Sequence, residues 1–128
     1  MKKLILILLF STVMFSSSSY AEWMGVTGNK AASFSVDFER IRKNDGYVYF
    51  WEMTDYFKPT LQGHLSVKAY KQGDCKLFRY KGLSWSFHKE PLGEDLDYTH
   101  NVPDKDWRYP SPNSSGEDIL QKVCAYAK

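Results

Sequence analysis

The sequence predicts an α+β domain: an antiparallel sheet of about five to six strands, a C-terminal α-helix packed on it, and one disulfide. Three observations carry this prediction. Apolar and aromatic residues alternate with polar ones through residues 33–87, broken by turn-forming residues, which is the period of strands. After residue 115 the apolar residues recur instead at helical spacing. The only two cysteines, Cys75 and Cys124, fall one in each part of a chain that opens on a secretory signal, where a thiol pair oxidises.

The signal decides which residues belong to the domain. Met1, Lys2 and Lys3 form a basic n-region, and Leu4 to Phe10 with Val13 to Phe15 form an apolar h-region. Ser19-Tyr20-Ala21 then places small residues at the −3 and −1 positions of a cleavage site. The expected division is a signal peptide at 1–21 and one domain at 22–128. The roughly 12 apolar residues of the signal fall short of the ~20 that a spanning helix requires, so no transmembrane segment is expected. No cysteine stands at the end of the signal, and a lipid anchor of the bacterial lipoprotein type is not expected. The expected location is the periplasm or the cell surface.

Cleavage also changes the charge. The full chain has 17 basic and 15 acidic residues, but Lys2 and Lys3 leave with the signal, so the domain is neutral. Nothing favours nucleic acid as a partner. The charge is unevenly spread: residues 37–89 hold ten Lys or Arg against six Asp or Glu, and residues 90–118 hold two against eight.

Each element has its own signal. Phe34, Val36 and Phe38 alternate with Ser33, Ser35 and Asp37, a half-buried strand. Asn44-Asp45-Gly46 supplies hairpin-turn chemistry. In the returning strand Tyr47, Tyr49, Trp51 and Met53 share one face and Val48, Phe50 and Glu52 the other, so this strand is expected at the centre of the sheet. Leu65, Val67 and Ala69 alternate next. Gln72-Gly73-Asp74 is expected to be a second hairpin turn, followed by a long strand from Cys75 to Phe87. Glu90 to Ser115 shows no sustained period and is expected to be irregular, with Trp107 anchoring it to the sheet. Ser114 and Glu117 fit a capping box, and Ile119, Leu120, Val123, Cys124 and Ala127 form one apolar stripe of the final helix. A disulfide between Cys75 and Cys124 would close 49 positions of chain and contribute about 4 kcal/mol by the chain-entropy estimate.

No catalytic function is expected. His64, His88 and His100 stand at unrelated spacings, with no paired-His motif, no nucleophile elbow and no phosphate loop, so no catalytic residue, cofactor or metal site is assigned. The candidate partner-binding residues are Lys68, Lys71, Lys76, Arg79 and Lys81, which span one expected hairpin and could meet an acidic surface. Arg40, Arg42 and Lys43 form a smaller basic group beside the first turn.

Several of these segments together resemble the surface-adhesin protein E family of Gram-negative bacteria. They are Val48-Tyr49-Phe50-Trp51-Glu52-Met53-Thr54-Asp55-Tyr56, Ser66-Val67-Lys68, Asp74-Cys75, Trp107 with Pro110 and Ser111, and Cys124. The resemblance covers essentially the whole domain. It implies an antiparallel sheet flanked by a C-terminal helix, a disulfide between them, and a tendency to form homodimers. It also implies a non-enzymatic protein partner: host extracellular-matrix or serum proteins such as vitronectin and laminin. The alternative function is a periplasmic inhibitor or envelope assembly factor, for which the acidic segment Glu94 to Asp106 would be the presented loop.

Overall fold

The computed structural model describes residues 21–128. The expected signal peptide therefore lies, except for Ala21, outside the described residues. The domain is a single seven-stranded antiparallel sheet with one α-helix. Its strands are β1 (Met24–Gly28), β2 (Ala32–Val36), β3 (Arg42–Asn44), β4 (Tyr47–Tyr56), β5 (Ser66–Asp74), β6 (Arg79–His88) and β7 (Leu96–His100), followed by α1 (Ser115–Tyr126).

β4 organises the sheet. β5 pairs with it from Val48 to Asp55 along one edge. The other edge is shared: β2 takes Glu52 to Tyr56, and β3 takes Tyr47 to Tyr49. A 3-10 turn at Phe38–Arg40 carries the chain between those two halves. The remaining strands extend the order to β1-β2-β4-β5-β6-β7. The central position expected for this strand is found: it is paired along both edges.

The turn between β3 and β4 is where the sequence placed it. Asp45 and Gly46 both have positive φ, 51° and 82°, the backbone that a two-residue hairpin of the sheet's own twist requires. The second turn is not at Gln72-Gly73-Asp74. Those residues complete β5, and the chain reverses over Cys75 to Phe78, with Phe78 at φ 53°. Gly73 is a glycine for a different reason. A Cβ there would lie 2.8 Å from Val48 Cγ2 and 3.2 Å from Leu120 Cδ1, so the helix can approach the sheet only over a bare backbone. The strand expected from Cys75 onward accordingly starts later, at Arg79.

The core lies between α1 and the β2–β4 part of the sheet. Val36, Val48 and Phe50 meet Ile119, Leu120, Val123 and Ala127, all buried. Ser114 caps the helix as its sequence suggests, accepting from the Glu117 amide at 3.2 Å, while Glu117 Oε1 accepts from the Asn113 amide at 3.3 Å. Thr27 Oγ1 donates to Asp118 Oδ2 at 3.0 Å and ties the first helical turn to β1. Cys75 and Cys124 are bonded, their Cα atoms 5.7 Å apart, and join the helix to the turn that follows β5.

The segment after Glu90 is more regular than expected. It contains a 3-10 turn at Pro91–Gly93 and the edge strand β7, which pairs with β6. Every residue of β7 is exposed, so the burial that leaves a strand's mark on a sequence is missing there.

Candidate functional site

Because Val48 and Phe50 point to α1, strand alternation turns Tyr47, Tyr49, Trp51 and Met53 to the opposite face of β4. Register brings Lys68, Tyr70, Gln72 and Asp74 of β5, and Arg79 and Lys81 of β6, to that same face. No helix lies over it among the described residues. One end is closed by the Pro91–Gly93 turn. Leu92 N donates to Asp55 Oδ1 at 2.7 Å and Gly93 N to Ser66 Oγ at 2.9 Å, and Met53 is fully buried.

Beyond that turn the face carries a strip of aromatic rings. Trp51 stacks on Tyr70 with centroids 5.0 Å apart, and Tyr49 approaches the same Tyr70 at 6.2 Å. Tyr47 meets Trp107 at 5.5 Å. Trp107 docks as expected, and it does so under two cations: the Arg79 guanidinium lies 4.2 Å from its ring and Lys81 Nζ 4.8 Å. Each of these rings is half-buried, held by its neighbours yet open on its outer side.

The cationic rim is fixed by Asp74. Its Oδ2 accepts from Arg79 Nε at 2.9 Å, and its Oδ1 accepts from the amides of Lys76 and Leu77, which shapes the β5–β6 turn. Burial alone would raise the Asp74 pKa. The Arg79 hydrogen bond and the Leu77 and Lys76 amides outweigh it, and the carboxyl is held below its ordinary value.

The five candidate lysines and arginines do not form one patch. Arg79 and Lys81 converge on Trp107, and exposed Lys76 sits in the adjacent turn. Lys68 is at the far end of the face, against Gly93, where a Cβ would lie 2.1 Å from Lys68 Cε. Lys71 is on the other face, paired with Glu52 at 2.8 Å and lying over Tyr80 at 4.8 Å. The reason is periodicity: neighbours of odd spacing on one strand point to opposite faces. Arg40, Arg42 and Lys43 are exposed near the first turn, and Arg40 approaches buried Asp37 at 3.8 Å.

The histidines serve packing. Buried His64 bonds Asp97 at 2.8 Å and packs on Phe87 and Tyr98, which fastens the β4–β5 loop to β7. His88 bonds Ser86, and burial, with Lys68 adding to it, lowers its pKa. His100 leans on Trp85. Among the described residues no group of three or more His, Cys, Asp or Glu could hold a metal ion, and no helix is long and apolar enough to cross a membrane.

Sequence reasoning identified the face carrying Tyr47, Tyr49 and Trp51 but not the strip it forms. Tyr70 completes it, and the available signal was the alternation of Lys68, Tyr70 and Gln72 opposite that strand.

The sequence profile of surface-adhesin protein E matches residues 23–125. Solved structures of Haemophilus influenzae protein E share the fold. One aligns with a TM-score of 0.59 at 19% identity, covering 80% of this chain and 94% of that one. A second gives 0.60 at 17% identity, with coverages of 83% and 86%. No curated protein sequence matches.

Proposed function

The chain belongs to the surface-adhesin protein E family, and from that premise we propose that it is an exported, non-enzymatic adhesin that binds a host extracellular-matrix or serum protein through the aromatic strip. Residues 1–21 direct export and are removed. The observation that carries this reading is the composition of the open face: Tyr47, Tyr49, Trp51, Tyr70 and Trp107 with Arg79 and Lys81 at one end. Tyrosine, tryptophan and arginine are the residues that dominate binding energy at protein interfaces: the two aromatics bring large area at small entropic cost, and arginine brings a planar, multidentate charge.

The alternative of a periplasmic inhibitor is less well supported. Its presented loop would be Glu94 to Asp106, but this stretch contains β7, and Asp104 is fixed to β6, its amide donating to Gly82 O at 2.8 Å.

Two measurements test the proposal. On intact cells an external protease is expected to remove the protein, and the purified domain is expected to bind surfaces coated with vitronectin or laminin. Full protection from protease on intact cells would contradict surface display. Absence of saturable binding to both proteins would contradict the proposed partner class.

A further inference from the structure

We propose that a second site, on the α1 side of the sheet and independent of the aromatic strip, binds the ring of an uncharged saccharide. α1 covers only part of its face. Beyond it lies a cleft of about 270 Å³ lined by Lys71, Tyr80, Gly82, Trp85, Asp104 and Arg108, just under the usual range of small-molecule sites and of a size for a single sugar ring.

The floor of the cleft is Trp85. At Gly82 a Cβ would lie 2.1 Å from Trp85 Cζ2 and 2.7 Å from Cη2, so the six-membered ring of the indole occupies the place of the missing side chain. A register shift between β5 and β6 at this point puts Gly82 and Trp85 on one face although they are three residues apart. The ring rests on the Gly82 backbone and lines the cleft. His100 lies beside it, ring centroids 5.5 Å apart and planes tilted by 44°.

The walls carry charge, and each cation already has a carboxylate. Lys71 Nζ is 2.8 Å from Glu52 Oε2. Arg108 Nε is 3.0 Å and Nη2 3.4 Å from the two oxygens of Asp104, whose Oδ2 also accepts from the Gly82 amide at 3.0 Å. Each cation keeps free N–H donors, but Glu52 and Asp104 cancel the charge of Lys71 and Arg108, so the cleft offers an anion no net positive field and sets a carboxylate beside it. A neutral polyol meets no such obstacle. Each hydroxyl can donate to Asp104 and accept from Arg108 or Lys71, while the C–H face of the sugar ring packs on the indole. A flat aromatic floor beside matched acid and base groups is therefore complementary to an uncharged sugar rather than to phosphate or sulfate.

The test titrates the folded protein with a panel of neutral disaccharides, including maltose, lactose, cellobiose and mannobiose. Inorganic phosphate and a heparin-derived disaccharide serve as anionic probes. Saturation-transfer NMR is expected to show saturable binding of at least one neutral sugar, with transfer strongest to ring C–H protons. Trp85→Ala should weaken that binding at least tenfold, and Gly82→Ala should do the same by lifting the indole from its seat. Binding to vitronectin or laminin should be unchanged, which separates this site from the aromatic strip. If either variant fails to fold, Arg108→Gln, at a largely exposed side chain, is expected to give the same loss. The proposal is overturned if no neutral sugar in the panel binds saturably, if only the anionic probes bind, or if folded Trp85→Ala or Arg108→Gln binds as wild type does.

Discussion

Asp74 shows how a single side chain links turn, rim and acid stability. It organises the β5–β6 turn through two backbone amides and holds Arg79 against Trp107. Its carboxyl titrates below the ordinary value in the fold. The stability it adds is therefore complete above the unfolded value of about 4 and is lost as pH falls toward the folded pKa. Asp74→Asn should cost about 1 kcal/mol near neutrality, since the turn keeps one acceptor. Its unfolding free energy should also fall less steeply than that of wild type below pH ~4; denaturant unfolding across that range measures both, and parallel curves would remove Asp74 from the account. Gly73 offers a second prediction. Alanine there gains up to ~1 kcal/mol from a stiffer unfolded chain. It also drives a methyl to within 2.8 Å of a β-branched side chain, and overpacking of ~1–3 kcal/mol wins. Gly73→Ala should lower the melting temperature. Neither role was visible in sequence, because Gly and Asp after a strand read equally as turn residues.

At the scale of elements, α1 depends on what it touches. Twelve residues are too few for a stable isolated helix. The Ser114 cap, the Thr27–Asp118 bond, the Ile119-Leu120-Val123 contact and the disulfide hold it. Replacing both cysteines by serine should cost about 2–4 kcal/mol, and Ser114→Ala about 1 kcal/mol. In hydrogen exchange the helix amides should lose protection before those of β4 and β5. Equal loss across the sheet would show that helix and sheet unfold as one unit. The helix was legible from sequence, its start most closely, because cap, stripe and cysteine all marked it. The strand β4 was legible because a buried face and a half-buried aromatic face leave two interleaved apolar patterns. β7 was not, since an exposed edge strand is held by backbone pairing that no side chain reports.

For the whole molecule, the fold creates two unlike faces, which the sequence separated along β4 but not along the β5–β6 hairpin. Residues clustered along the β5–β6 hairpin were expected to act together, yet register divides them: Arg79 and Lys81 border the aromatic strip, and Lys71 pairs with Glu52 behind it. Charge reversals should divide accordingly. Lys76→Glu and Lys81→Glu should weaken matrix-protein binding and reduce its salt sensitivity, because rim charges act through long-range attraction. Lys71→Glu should lower stability instead, by opposing Glu52. The most direct measurement of the central claim is surface plasmon resonance over immobilised vitronectin and laminin, comparing wild type with Tyr49→Ala/Tyr70→Ala. Both rings lie at the middle of the strip and outside the core, and thermal unfolding will confirm that the variant is folded. The account predicts that the variant binds at least tenfold more weakly, in keeping with loss of central aromatic contacts; an unchanged affinity in the folded variant would contradict it.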